Sequence, residues 1–547
     1  MKSLQRLACC VLLLGTNPPS ASSADAEFEV LPGEKTGLKS AMLEWFDLEM
    51  KRQGGPGKQS HGWWPWGVRV FDFDRDGAPD ILASHHGVPH SIILRSHFKK
   101  LGELRFSNVT TDLGLDSRDL PGADDRPWIW DFDGDGWLDI AGFSDESSPN
   151  SAWNSEGRKF TFTSKSPFKG LAHPKEVLDL NGDGYLDLDG GAKGQLFYVP
   201  EGRTFRHDPA RRFAKPDGIP TQLAESLEAV QKSTRFYSLE YWTHSPLGYD
   251  TLGYDPRPID LDADGRGDVV VHGSAGYGGA YLGRYLFRGA DGSLADRTTE
   301  KGLPESGAPI LVEDLTGDGA PEILIAGEKE SGLYLNDGAG KFARAAGKLT
   351  DFLVRRGPYL LRAFRADWDN DGRLDLVLSN PRLGFAAVFQ NRGNGKFKEI
   401  VAQSDCWDSN PIAIADLDSD GRLDLVMGGS SGKESKTDIT IYRNATKAAG
   451  HFLKIEPRMP APNPYAVGAV IEVFKPGEMD KPKGRPYFVE KAHSDASPVH
   501  VGLGEQKTCD VRLTFPGGKV VTAIGVEANQ MMTIDRETGK TSKSEAK

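Results

Sequence analysis

With 547 residues, 38% of them apolar, the chain can bury sizeable cores and fits two or three domains. Its formal charge is −12, and no basic patch carries interleaved aromatics, which excludes nucleic acid as a natural partner. No stretch reaches membrane-spanning length, so no transmembrane segment is expected.

In chain order, residues 1–24 read as a secretory signal peptide. Lys2 and Arg6 supply a basic start, Leu7 to Leu14 a short apolar core, and Ser22 and Ala24 suit cleavage before Asp25. The product is expected to be secreted, periplasmic or extracellular. Residues 25–62 form an N-terminal segment. Cleavage removes Cys9 and Cys10 and leaves Cys406 and Cys509, for which one disulfide and two free thiols are both open.

Residues 63–448 are repetitive. Six acidic loops follow the pattern D-x-[DN]-x-D-G-x-x-D. They are Asp72, Asp74, Asp76 and Asp80; Asp131, Asp133, Asp135 and Asp139; and Asp179, Asn181, Asp183 and Asp187. The others are Asp260, Asp262, Asp264 and Asp268; Asp367, Asp369, Asp371 and Asp375; and Asp416, Asp418, Asp420 and Asp424. A degraded relative, fifth in chain order, has Asp314, Thr316, Asp318 and Glu322. Oxygen donors at alternate residues, then a Gly that can turn the backbone sharply, suit a hard cation such as Ca²⁺, up to seven in all. Carboxylates this close repel one another, and a divalent ion removes that repulsion. The pattern is not an EF-hand, because position twelve holds Ala83 or Gly142 and the flanks are strand-like. The bland alternative, that Asp-Gly stretches are polar turns, is weighed against seven recurrences at matching offsets. The fifth loop is the doubtful one, with Thr316 replacing an acid and Glu322 one methylene longer.

Short apolar runs flank the loops: Val68 to Phe71 and Ile81 to Ala83, Trp128 to Trp130, Ile310 to Val312 and Ile323 to Ala326, Ile412 to Ala415 and Leu425 to Met427. Their length and β-branching predict buried strands. A second hairpin follows in most units, as in Leu333 to Asn336, Asp337-Gly338, then Phe342. Loop starts are separated by 59, 48, 81, 54, 53 and 49 residues. A four-stranded unit of about 40–50 residues is the size of a propeller blade. The predicted fold is all-β, a seven-bladed β-propeller followed by a small all-β C-terminal domain. The 81-residue gap holds an insertion near 205–255, with a helix-like patch from Leu223 to Val230 and an aromatic stretch through Tyr241, Trp242 and His244. Loss of Lys2 and Arg6 deepens the charge, and seven divalent ions would return it near zero. The acidity therefore belongs to the loops rather than to a cationic partner.

Residues 449–536 alternate apolar and polar side chains between Gly-Gly and Pro-Gly turns, which predicts the small all-β domain. Residues 537–547 form a polar tail.

The loop-plus-strand units resemble the FG-GAP/VCBS repeats of integrin-α-type propellers, over about 385 residues. That resemblance implies Ca²⁺ on the matching loop positions. The segment from His451-Phe452-Leu453 through Gly468, Val501-Gly502-Leu503-Gly504 and Phe515-Pro516-Gly517-Gly518 to Asn529-Gln530 resembles the ASPIC/UnbV domain. That domain often follows such propellers in proteins of the cartilage acidic protein type. It departs at Phe515-Pro516-Gly517-Gly518, where the family usually has Trp-Pro-Asp-Gly.

No convincing catalytic pattern is present, so the protein is not expected to be an enzyme. Gly428-Gly429-Ser430-Ser431-Gly432 matches G-x-S-x-G but is read as a blade turn, since no helix follows. His61, His85, His86 and His90 have no spacing that fixes a transition-metal geometry. Trp63, Trp64 and Trp66 suit either sugar stacking or closure of the first blade. Asn108-Val109-Thr110 and Asn444-Ala445-Thr446 are glycosylation sequons. Two functions are carried forward. The first is a non-catalytic binding or adhesion module for an extracellular protein or glycan ligand. The second is a carbohydrate-active enzyme of lyase or dehydratase type, its best location being the insertion with Tyr241, His244 and Tyr249.

Overall fold

The computed structural model describes residues 25–44, 67–84, 91–121, 127–142, 151–163, 254–274, 281–327, 330–356, 362–380, 385–403, 412–431, 437–481, 484–493, 495–539 and 541–545, together with strands at 177–178, 187–189, 195–198, 206–212, 238–242, 244–246 and 406–407.

The short apolar runs do form strands. In the first sheet, Val68, Ile81, Leu82, Ile92, Ile93 and Leu94 are buried, and four antiparallel strands lie side by side in chain order between residues 67 and 108. The same meander recurs at 128–163, 177–212, 308–344 and 362–403. In the fourth sheet, Ser238–Trp242 is the first strand, and a hairpin of His244–Pro246 with Tyr254–Pro258 intervenes before the remaining three strands. The last of these sheets among the described residues is built from Ile412–Ala415, Asp424–Ser431 and Thr437–Asn444, with Cys406–Trp407 alongside.

One register rule places five of the described loops. The residue before the first Asp pairs with the acid at position nine: Phe71 with Asp80, Trp130 with Asp139, Glu313 with Glu322, Ala366 with Asp375 and Ala415 with Asp424. These five acidic loops are therefore the connections between first and second strands, while the fourth loop follows the intervening hairpin and leads into the second strand, Asp268 N–H donating to Ile259 O.

Neighbouring sheets bury side chains between them. Phe71, Phe73 and Ile93 of the first sheet pack with Trp130, Phe132 and Ile140 of the second. Val270 and Tyr285 of the fourth meet Val312 and Tyr334 of the fifth. Leu324 of the fifth meets Leu376 and Phe389 of the sixth, and Trp368 and Val377 of the sixth meet Leu425 and Tyr442 of the seventh. Val68, Ile81 and Ile92 then pack on Leu417, Val426 and Ile441, so the first sheet lies against the seventh and the series closes on itself. The result is a β-propeller.

Closure is also staggered along the chain. Phe28–Leu31 pairs antiparallel with Thr437–Asn444, Phe28 opposite Asn444 and Leu31 opposite Ile441. The N-terminal segment thus supplies the outer strand of the last sheet, a role the sequence did not suggest. Leu38 and Met42 continue from it into the same core.

The C-terminal domain has two four-stranded sheets. His451–Arg458 lies between an antiparallel partner, Val499–Gly504, and a parallel one, Gln530–Asp535. Leu453, Ile455, Ile471, Val473, Val501, Val511 and Leu513 fill the space between the sheets.

Several expectations need correction. Part of the expected polar tail, Thr541–Glu545, is a strand paired with Gln530–Asp535. The expected insertion is narrower, because Arg206–Arg212 belongs to the third sheet and Ser238–Trp242 to the fourth. Gly428 to Ser431 lies within the strand Asp424–Ser431, with Ser430 opposite Thr437, so the segment is not a turn. Of the two states left open for Cys509, the structure has the free thiol; it is buried, and burial pushes it up to about 12. The helix Lys348–Arg356, with Leu349, Phe352 and Leu353 buried, was not foreseen. The Leu223 to Val230 patch, Tyr249, His61, His85, His86, His90 and Trp63 to Trp66 lie outside the described residues.

Candidate metal centres

Each loop is held by its own acids. The Asp at position one accepts from the Gly backbone N–H at position six: Asp72 from Gly77 at 2.8 Å, Asp131 from Gly136 at 2.8 Å, Asp260 from Gly265 at 2.9 Å. The Asp at position five accepts from the N–H two residues on, as Asp76 does from Ala78 at 2.7 Å. The acid at position nine spans two strands. Asp80 Oδ2 accepts from Phe73 and Oδ1 from Ser96; Asp375 takes Trp368 and Asn391, and Asp424 takes Leu417 and Asn444. These bonds fold the turn and bring the carboxylates together.

Among the described residues, five groups of three carboxylates each offer oxygens within 4.8 Å of one another. Four use positions one, three and nine: Asp72, Asp74, Asp80; Asp131, Asp133, Asp139; Asp260, Asp262, Asp268; and Asp416, Asp418, Asp424. The sixth loop uses Asp367, Asp369 and Asp371, with Asp375 outside the trio. Asp76, Asp135, Asp264 and Asp420 also fall outside these trios. Asp314, Asp318 and Glu322 do not form such a group, in keeping with the degraded fifth loop. There Glu322 Oε2 bends back to accept from both Leu315 and Thr316 N–H. Asp179, Asn181 and Asp183 lie outside the described residues, and Asp187 is described only as the start of a strand.

The donor set fits a hard cation. All ligands are oxygens, and Oδ1 of Asp74, Asp131, Asp262 and Asp369 is buried with no hydrogen-bond partner. Burial, aided by like-charged neighbours, pushes the carboxyls of Asp72, Asp131 and Asp268 up to about 7. Asp80, Asp139, Asp367, Asp375 and Asp424 are pushed well above the usual carboxylate range, again mainly by burial. A cation would relieve this by favouring the charged form.

The sequence reading missed a set of buried asparagines at the ends of third strands. Asn154 Nδ2 donates to Leu138 O of its own sheet and to Phe73 O of the preceding one. Asn391 does the same to Leu374 and Leu315, and Asn444 to Leu423 and Trp368. Asn336 joins Pro321 to Leu261. Each Asn staples its own loop to the preceding loop of the ring. The recurring Asn after an apolar strand was the available signal. Asn444 is fully buried in this role, and Thr446 serves it as a donor, so that sequon is structural.

The C-terminal domain sits on the loop end of the ring. Tyr465 Oη accepts from Arg75 of the first loop and donates to Gly136 O of the second, 2.8 Å away. His500 Nε2 lies 2.8 Å from Asn370 Oδ1 of the sixth loop. Burial, with Lys454 nearby, pushes His500 down to about 3, so the neutral ring donates there. Lys454 Nζ is 2.7 Å from Asp416 Oδ2 of the seventh loop. Arg365, buried between Glu313 and Glu490, joins the fifth and sixth sheets to this domain.

Comparison with known proteins agrees with this organisation. The FG-GAP-like repeat matches residues 131–188, 314–378 and 367–427, and "ASPIC and UnbV" matches residues 459–541. A search of curated proteins finds no match. Among solved structures, an Agrocybe aegerita lectin, described for specific recognition of non-reducing terminal N-acetylglucosamine, is 18% identical over 72% of this chain and 88% of that one, with a TM-score of 0.35. The Penicillium chrysogenum alpha-L-arabinanase complexed with arabinobiose is 11% identical over 70% of this chain and 98% of that one, with a TM-score of 0.30. Neither likeness carries an argument about ligand or chemistry. With its meander sheets, its recurrent acidic loops and its separate C-terminal sandwich, the chain is an all-β propeller that carries FG-GAP-like repeats and, toward its C-terminus, an ASPIC and UnbV domain.

Proposed function

We propose that this is a secreted, Ca²⁺-stabilised propeller of seven blades that binds an extracellular protein or glycan without transforming it. The observation that carries the reading is the set of five carboxylate trios, four of which include a buried oxygen that no protein group satisfies. Oxygen-only donors favour Ca²⁺ over a transition metal. When bound, Ca²⁺ supplies positive charge that cancels carboxylate repulsion, and no chemical step is assigned to it. The acids themselves are committed to turn hydrogen bonds, which leaves them poorly placed as general acids or bases.

The ligand surface is the end of the ring opposite the acidic loops, because the C-terminal domain occupies the loop end. That opposite end is bordered by strand ends such as Ser84, Ser91, Ala141, Ser151, Asn380 and Phe385. Calorimetric titration of chelator-treated protein with Ca²⁺, alongside a thermal melt, tests the cation reading. Five or more bound ions and a raised melting temperature are expected; one ion or none would sink it. A glycan array with Ca²⁺ and with chelator then separates ligand classes. Binding lost in chelator supports a glycan, and a flat array in both conditions removes glycans and leaves a protein ligand open.

A further inference from the structure

The described loops differ in one respect that their sequences do not: how deeply they are covered. In the first and fourth loops, Asp72, Asp74, Asp260 and Asp262 are partly exposed, and the position-five acids Asp76 and Asp264 are exposed. In the sixth loop, Asp367, Asp369, Asn370, Asp371 and Asp375 are all buried; the trio of the seventh loop is buried too, but there Lys454 already neutralises Asp416 and Asp420 stays partly exposed. The motif is the same in each case, so the difference comes from what lies above it.

The cover is the C-terminal domain. Gly504 N–H donates to Asn370 O at 2.8 Å, and Gly450 N–H donates to Asp369 O at 2.7 Å. Asn370, held at a positive φ of 55°, is bonded through Oδ1 to His500 and through Nδ2 to Gly421 O of the seventh loop. His500 in turn stacks on Phe452, 5.8 Å between centroids. The approach is so close that a Cβ at Gly502 would overlap Asp367 Oδ2, and one at Gly450 would overlap the Asn370 carbonyl. Beneath this lid Asp369 is 1% exposed, and its Oδ1 has no hydrogen-bond partner. That unsatisfied buried oxygen belongs to the converging trio.

We propose that the cation of the sixth loop is locked in by the C-terminal domain, so that its release and the undocking of that domain are one linked equilibrium. This rests on the Ca²⁺ reading above and adds two classes of site to it. Cations at the first and fourth loops exchange with the domain in place. The cation at the sixth loop leaves only after the Gly502 and Gly504 backbone has lifted away. Linkage makes the effect reciprocal: an ion on Asp367, Asp369 and Asp371 holds the domain down, and removal of the ion loosens it. Tyr465, bound to the first and second loops, strengthens the lid without touching the sixth.

The test is Ca²⁺ release from the full-length protein. The protein is loaded with Ca²⁺, freed of unbound ion, and mixed rapidly with an excess of fluorescent chelator. The expected result is a fast phase, followed by about one equivalent that leaves at least about tenfold more slowly. Gly502→Val should merge the slow phase into the fast one. Tyr465→Phe, which keeps the ring and loses only the hydroxyl bonds, should speed the slow phase several-fold. Proteolytic nicking between propeller and C-terminal domain should rise in both variants and in Asp367→Asn. Release in a single kinetic class overturns this inference while leaving the Ca²⁺ reading intact. A slow phase unchanged in both variants overturns it too, assigning slow release to the loop alone. No bound ion in the wild type overturns both.

Discussion

At the scale of single residues, the acids and the asparagines divide the work. Acids one, five and nine fold each described loop through backbone N–H groups, and carboxylate oxygens left over converge within 4.8 Å in the five trios. Asp133→Ala removes a ligand from a trio, and loss of an ion held at about a hundred times its dissociation constant corresponds to ~2.7 kcal/mol. Thr316→Ala should change little, because Thr316 Oγ1 is buried without a partner and its removal breaks no hydrogen bond. Thermal melts in Ca²⁺ of the two variants check the contrast; equal losses would show that trio geometry does not track cation binding. Asn444→Ala leaves the carbonyls of Trp368 and Leu423 unsatisfied, at about 1–3 kcal/mol by denaturant titration. The same burial predicts no glycan on Asn444 in a glycosylating host, which intact mass measurement would reveal. The aspartates were legible in the sequence because their spacing is local. The Asn staples were not, because Asn444 reaches a carbonyl 76 residues away and only the ring brings the two together.

At the scale of elements, short β-branched apolar runs and Asn-Gly or Asp-Gly turns made most strands of the propeller legible, since most of its sheets are meanders of sequence neighbours. What escaped was pairing across the whole chain. Phe28–Leu31 is a four-residue strand whose partner lies more than 400 residues on, and nothing in Phe-Glu-Val-Leu specifies that partner. It is held there by Ala445 N–H to Glu27 O, by Glu27 N–H to Thr446 Oγ1, and by Ala26 N–H to Gln390 Oε1. Deleting residues 25–31 should expose Thr437–Asn444 as a bare edge. A lowered melting temperature, together with concentration-dependent association in light scattering, is the expected outcome. A monomer with unchanged melting would mean that the core between the first and seventh sheets closes the ring without that strand. The fourth sheet was misjudged for a related reason. Its first strand is separated from its loop by the hairpin His244–Pro246 with Tyr254–Pro258, so adjacency in sequence no longer marks adjacency in the sheet.

At the scale of the molecule, burying so many carboxylates at one end of the ring ties folding to both protons and cations. Asp72, Asp131 and Asp268 are raised to about 7 from an ordinary 3.8, and Glu322 to about 8 from 4.5, each first by burial. A carboxyl whose folded value lies above its unfolded value holds its proton more tightly when folded. Between the two values the folded state therefore binds more protons than the unfolded chain, and stability falls as pH rises through that window. In chelator, the melting temperature should thus drop steadily from about pH 5 to pH 8, opposite to the usual response of a salt-bridged carboxylate. Ca²⁺ favours the ionised form and should flatten or reverse that slope, with the greatest gain in melting temperature at the alkaline end. The same linkage requires Ca²⁺ binding near pH 6 to expel protons. Calorimetry in buffers of different ionisation enthalpy measures that release directly. A chelated protein whose melting temperature is flat across the window, and whose Ca²⁺ uptake releases no protons, would mean that the buried carboxylates are already ionised and compensated by Arg443, Lys454 and their like. The loops would then be held by the protein's own cations.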